Sequence, residues 1–176
     1  MESPTETRYG VKADAGEIAS LVNSAYRGES GKRGWTTEAD HLGGQRTDIV
    51  EVSGLIESAG SFFLLCIEAG SLVGAIHLQQ CGEGAKFGML AVRPDRQGSG
   101  FGRRLLDEAE RAAVKAFGAG RIKMAVLTFR TELIAYYERR GYSRTGHFED
   151  FPADPKFGIP KVAGLRFEWL EKQVDG

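Results

Sequence analysis

Apolar positions along the chain change their period several times, and those changes lay out its elements. After Asp14, with Glu17 three residues on in the manner of a capping box, Ile18, Leu21, Val22, Ala25 and Tyr26 recur at helical spacing and predict a first helix from Asp14 to Tyr26. The stretch Arg27 to Arg46 is Gly-rich, polar and long for a connection, which predicts a short helix and a functional loop around Trp35. Three strand-like runs follow, Ser61 to Glu68, Leu72 to Gln80 and Lys86 to Val92. Ala69-Gly70-Ser71 and Cys81-Gly82-Glu83-Gly84-Ala85 suit hairpin turns between them, so this part reads as an antiparallel meander. Pro94 stops the third run. Phe101, Leu105, Ala109, Ala112, Ala113 and Ala116 then share one face of an amphipathic helix that Gly118 and Gly120 terminate. Ile122 to Thr128 predicts a strand, Thr131 to Arg140 a helix capped by Thr131 and closed by Gly141, and Tyr142 to Phe148 and Gly164 to Trp169 the final strands. The order is β-α-α-β-β-β-α-β-α-β-β, an α/β arrangement in one domain spanning residues 1–176.

Composition narrows what such a domain does. Of 176 residues 41% are hydrophobic, and 23 Lys+Arg against 24 Asp+Glu leave a net charge of −1, so the chain is globular and lacks the basic field that nucleic-acid backbones require. Met1 to Arg8 is polar and unlike a secretion signal, and the apolar run Phe62 to Ile67 is far too short to cross a bilayer; a cytoplasmic location away from membranes is expected. Cys66 and Cys81 lie in apolar strand-like stretches and read as buried free thiols. His41, His77 and His147 show no metal-ligand spacing, so no metal is expected. Ser99 lacks the frame of a nucleophile elbow, which argues against covalent catalysis.

The chemistry concentrates in Leu90-Ala91-Val92-Arg93-Pro94-Asp95-Arg96-Gln97-Gly98-Ser99-Gly100-Phe101-Gly102-Arg103-Arg104, a strand, a Gly-rich turn and a helix start. Free amides and the positive end of the dipole make such a start an anion site, and the glycines let backbone approach oxygen atoms. Arg103 and Arg104 in a first turn oppose the dipole unless an anion sits nearby, although both can pair with Asp107 and Glu108 at i,i+4 spacing. No Lys follows the glycines as a P-loop requires, and a dinucleotide fingerprint would need glycine where Arg103 stands.

Gln97-Gly98-Ser99-Gly100-Phe101-Gly102 fits the signature Gln/Arg-x-x-Gly-x-Gly/Ala. With Ala135-Tyr136-Tyr137-Glu138-Arg139-Arg140-Gly141-Tyr142 as a second motif, the chain resembles the GNAT superfamily of N-acetyltransferases from about Arg8 to Leu170. The resemblance implies the GNAT fold, a mixed and mostly antiparallel sheet flanked by helices, splayed near Leu90 to Val92. It implies acetyl-CoA as co-substrate, its pyrophosphate on the amides of Gln97, Gly98, Ser99, Gly100, Phe101 and Gly102 with Arg103 beside them. Its pantetheine arm would lie along Leu90, Ala91 and Val92, where a bulge aims an N–H at the thioester carbonyl. Tyr137 matches the general acid that protonates the departing thiolate, a role suited to a phenol whose ordinary pKa is about 10. Two departures stand out: Arg130 occupies the place of a common Asn, and no Glu stands on the fourth strand as general base, leaving Glu38, His41 and Glu83 as candidates.

The acceptor is expected to be a primary amine of a small molecule or peptide attacking directly in a ternary complex. Trp35 would wall its pocket, Glu38 hold a cationic amine and Arg46 a carboxylate, with the aromatic connection Phe148 to Pro160 closing the cleft. Loop packing for Trp35 and helix N-terminal stabilisation for Glu38 are the competing roles. A silent acyl-CoA-binding module is the competing function, suggested by Arg130 and the missing Glu. A homodimer is common in the superfamily.

Overall fold

The computed structural model describes residues 4–27 and 38–175, and Trp35 lies outside them. The elements are β1 (Thr5–Tyr9), α1 (Ala15–Tyr26), β2 (Leu42–Gly43), α2 (Ile49–Glu57), β3 (Ser61–Glu68), β4 (Ser71–Cys81), β5 (Gly84–Val92), α3 (Phe101–Phe117), β6 (Arg121–Leu127), α4 (Thr131–Arg139), β7 (Ser143–Asp150), β8 (Ile159–Pro160) and β9 (Arg166–Gln173). Seven strands form one sheet in the order β1-β3-β4-β5-β6-β9-β7, and β2 pairs with β8 in a separate two-stranded ribbon. Within the large sheet β5 and β6 run parallel and the other neighbours antiparallel, the mixed sheet that the sequence predicts.

Strands β3 and β4 are apolar on both faces because helices cover both. Alternation along β3 sends Phe63, Leu65 and Ile67 to a core with Ile18, Val22 and Ala25 of α1 and Val52 of α2. Its other residues, Leu64 and Cys66, join a second core with Leu105, Leu106, Ala109 and Ala113 of α3 and Ile134 and Tyr137 of α4. The turn between β3 and β4 is Ala69-Gly70 with both φ values positive, 49° and 78°, which matches the right-handed twist of the flanking strands. The β4–β5 hairpin is tighter than its sequence predicts: Cys81 pairs with Gly84 across two residues, and Cys81 at that strand end is exposed rather than buried.

Several local signals work differently from their sequence reading. The short helix expected within Arg27 to Arg46 falls largely on 28–37, outside the described residues; α2 is a further helix that the apolar pattern does not announce, started by Asp48, whose carboxylate accepts from the Glu51 amide at 2.8 Å. Asp14 holds the N-cap position of α1, but its side chain makes no cap bond to the helix. Its carboxylate instead accepts from the Val11 amide and from Arg8, closing the turn that leads into the helix. Thr131 is the first residue of α4 and Arg130 is the N-cap, without a side-chain cap bond. The last two long strands run further toward the C-terminus than the apolar pattern suggests, to Asp150 and Gln173, because their polar residues sit on a solvent face or at the sheet edge.

Candidate active site

The site starts from a failure of pairing. β5 and β6 are joined only at Ala85–Ile122 and Lys86–Lys123, so beyond that apex the two strands diverge and open a wedge in the sheet. Glycine sets the apex, since a Cβ on Gly84 would stand 2.5 Å from the Arg121 carbonyl oxygen. Further along β5 the register against β4 shifts between Ala75 and His77, placing Met89 and Leu90 opposite the single residue Ile76. Met89 takes φ +50° there, an uncommon conformation for a side chain other than glycine. This bulge releases β5 backbone groups from the ladder with β4 beside the wedge.

A cleft of about 520 Å³ occupies the wedge on the α3 side. Leu90, Ala91 and Val92 form one wall, Gln97, Gly98, Gly100, Phe101, Gly102 and Arg103 its mouth, and Arg130, Leu133, Tyr136 and Tyr137 the opposite wall; Ser99 shares the turn but does not line the cleft. Gly98 and Gly100 have φ of +80° and +84° with open space where a Cβ would project, so the left-handed backbone itself demands glycine. Gly100 is the N-cap of α3 and offers no side-chain acceptor, so the first amides of a 17-residue helix face the cleft mouth without a cap. The Gln97 side chain donates to the Val92 carbonyl at 3.1 Å and clips the turn to β5. Arg96 is held by Glu68 and by the Phe101 ring. Arg104 pairs with Glu108 at 3.0 Å, away from the cleft, whereas the exposed Arg103 lies on its rim, 3.9 Å from Asp107.

Tyr137 is buried on α4 between the rings of Tyr136 and Tyr142, and desolvation pushes its phenol far above the ordinary value, opposed in part by the Arg130 guanidinium. The phenol therefore keeps its proton at every physiological pH. Tyr136, one residue earlier and partly exposed, lines the cleft with a ring oriented at 65° to that of Tyr137.

Behind Tyr137 a narrow channel-like void of about 70 Å³ shares Tyr26 and Arg130 as walls with the cleft, and Glu38, Arg46 and Gly88 with a second cavity of about 230 Å³ on the α1 and α2 side. That cavity is walled by Arg46, Glu51, His77 and Lys86, and by Phe151, Pro152 and Phe157 of the aromatic connection. Glu38 lies at the junction, 5% exposed, and both its oxygens are taken: one accepts from Arg27 Nε and Nη2 at 3.0 and 2.8 Å, the other from Arg130 at 3.3 Å. It therefore stands as the anchor of two guanidiniums rather than as a free partner for an amine. Arg27 in turn donates to the Phe157 carbonyl, tying α1 to the connection.

The three sequence candidates for a base do not converge on the channel. Besides the engaged Glu38, His41 is stacked on Phe129 at 3.7 Å and Glu83 is in the exposed β4–β5 turn. Sequence reasoning missed His77 and Glu51. His77 sits in a run that looks like ordinary apolar strand, and α2 carries no motif. The His77 ring accepts or donates at 2.7 Å with the Ser61 hydroxyl; burial, then Lys86 and Arg46, lower its pKa to about 4, so it is neutral at pH 7. Among the described residues no group of three or more His, Cys, Asp or Glu is placed to hold a metal, and no helix is long and apolar enough to cross a membrane.

A splayed sheet with a bulged strand, an uncapped Gly-rich helix start and a buried tyrosine across the gap defines a class of acyl-group transferases. Residues 17–142 match the model of the Acetyltransferase (GNAT) family, and the chain belongs to that family. It is an acyltransferase enzyme with the GNAT fold. A sequence comparison with curated proteins gives no match. Among solved structures, the ribosomal-protein-S18-alanine N-acetyltransferase of Escherichia coli is similar with a TM-score of 0.72 at 13% identity, covering 98% of this chain and 96% of that one. Salmonella typhimurium yncA with its cofactor acetyl-CoA superimposes with a TM-score of 0.68 at 19% identity, covering 97% and 94%. A spermidine N-acetyltransferase chimera from Vibrio cholerae and hSSAT gives 0.68 at 18%, covering 97% and 96%. At these identities the likeness is one of fold.

Proposed function

We propose that the enzyme moves an acetyl group from acetyl-CoA to a primary amine of a small molecule or peptide, the amine attacking directly with both substrates bound. The observation that carries this reading is the row of adjoining cavities, from the 520 Å³ cleft past Tyr137 to the 230 Å³ cavity, whose shared walls suit two substrates approaching from opposite faces of the sheet. The residues fit the cofactor: uncapped amides at Gly100 to Arg103 suit a pyrophosphate, and the bulged edge at Leu90 to Val92 suits an extended amide-bearing arm. Acetyl-CoA supplies the activated acetyl thioester.

The chain's own groups then have separable tasks. A backbone N–H from the bulge stabilises negative charge on the thioester oxygen, an effect commonly worth about 3 kcal/mol. Tyr137 donates its proton to the leaving sulfur, and Arg130 beside it favours the phenolate so formed. No dedicated base is assigned. Of the cations of the channel Arg130 is already paired with Glu38, so it is Arg46 that disfavours the ammonium form of a nearby amine and assists its loss of a proton to water.

The test is calorimetry with acetyl-CoA, desulfo-CoA and phosphate, followed by thiol release across a panel of amines. Acetyl-CoA is expected to bind and amines to drive release, with Tyr137→Phe lowering kcat on the order of 10²-fold at nearly unchanged cofactor affinity. Absence of acetyl-CoA binding at millimolar concentration, or an unchanged kcat in Tyr137→Phe, overturns the respective assignment.

A further inference from the structure

The second cavity carries more positive charge than its own carboxylates balance. Among its walls Glu38 is engaged by Arg27 and Arg130, and Glu51 accepts from the Thr47 hydroxyl at 2.6 Å. Arg46 and Lys86 make no ion pair among the described residues; each lies against an aromatic face instead, Arg46 on Tyr26 at 5.8 Å and Lys86 on Trp169 at 5.7 Å. These contacts orient the two cations and leave their hydrogen-bond donors uncommitted to a carboxylate. Arg46 is further fixed through its backbone, whose amide donates to the Asn23 side chain at 2.8 Å while the next amide donates to the same oxygen. His77 senses the same field, since Lys86 and Arg46 both act against its protonation.

We infer that the acceptor is a small amine that also bears an oxyanion, a carboxylate in the simplest case, which Arg46 and Lys86 hold while the amine enters the channel toward Tyr137. This rests on the acetyl-transfer reading above. Size agrees: about 230 Å³ is roughly eight times a water molecule's share of liquid volume, room for a molecule on the scale of an amino acid. Charge disfavours the opposite class, because a polycation entering this cavity meets two cations, Arg46 and Lys86, against the single carboxylate Glu51 that no guanidinium engages. An oxyanion, in contrast, finds a guanidinium fork of fixed orientation and an ammonium, the combination that recognises carboxylates with shape as well as charge.

The experiment measures acetyl-CoA-dependent thiol release on matched pairs that differ only in the carboxylate, leucine against isoamylamine and tyrosine against tyramine, within a panel of the common amino acids and spermidine. The carboxylate-bearing members are expected to have the higher kcat/KM by roughly 10- to 100-fold. Arg46→Met and the exposed Lys86→Met are expected to erase most of that preference through KM, while calorimetric acetyl-CoA affinity, retained in both, reports an intact fold. Equal or better turnover of the decarboxylated members or of spermidine overturns the inference, as does a protein that binds acetyl-CoA yet releases thiol with no amino acid in the panel. Failure to bind acetyl-CoA at all is a different result; it overturns the acetyl-transfer reading and this inference with it.

Discussion

Glu38 shows how a residue's surroundings set its role. Read along the chain it is an acidic residue in a loop; in the fold it is a buried anion between two guanidiniums, and its removal strands both. Glu38→Gln is therefore expected to destabilise the protein by about 3–5 kcal/mol, read as a drop in the chemical-denaturation midpoint, because two buried cations lose their shared partner. His77 has the reverse logic, a neutral group in a place hostile to charge. Its pKa of about 4 lies below the ordinary 6.5, so between those values the unfolded chain takes up a proton that the folded chain refuses. Folding stability should fall as pH drops from about 7 to 4, by about 3 kcal/mol in full from this residue. Comparing stability curves of the parent and His77→Gln checks it; identical slopes between pH 7 and 4.5 would remove the assignment.

Among the elements, the wedge between β5 and β6 matters most, and its apex depends on Gly84. A methyl group there meets backbone, which yields less readily than a side-chain tip. Gly84→Ala is expected to cost about 1–3 kcal/mol of stability and to weaken acetyl-CoA binding by shifting the strands that frame the cleft, as thermal melts with and without cofactor would show. At the other end of the cleft Gly100 has space but needs its left-handed backbone. Gly100→Glu adds strain and a negative charge at the uncapped end of α3, so it should abolish cofactor binding while leaving the two cores untouched; micromolar binding by this variant would exclude the proposed phosphate position.

The whole molecule couples the two helical layers through one sheet, so a ligand seated in the wedge ties both cores together. At a concentration one hundred times its Kd, acetyl-CoA should add about 2.7 kcal/mol, a rise in Tm of roughly 5–10 °C for a chain of this size. Desulfo-CoA should give a similar shift if the phosphates and arm dominate affinity, and inorganic phosphate a much smaller one. Equal shifts from phosphate and acetyl-CoA would mean that the wedge does not hold the cofactor.

The periodic segments of this chain declare themselves: α1, α3, α4 and the β3–β5 meander follow from apolar spacing and turn glycines, and the Gly-rich turn announces an anion site through residue types that its backbone geometry requires, while the role proposed for Tyr137 came from the resemblance to the GNAT superfamily. Local rules read from sequence were weaker at boundaries, where Asp14 turned to Arg8 rather than to the helix and α2 arose from an unremarked Asp48 cap. Only tertiary structure decided the rest. The short pairing that opens β5 from β6, the engagement of Glu38 by Arg27 and Arg130, and the meeting of Arg46, His77 and Lys86 in one cavity join positions far apart in the chain. Spacing along a sequence records which residues share a face of one helix or strand; it holds no record of which faces the packing of two layers across a sheet brings together.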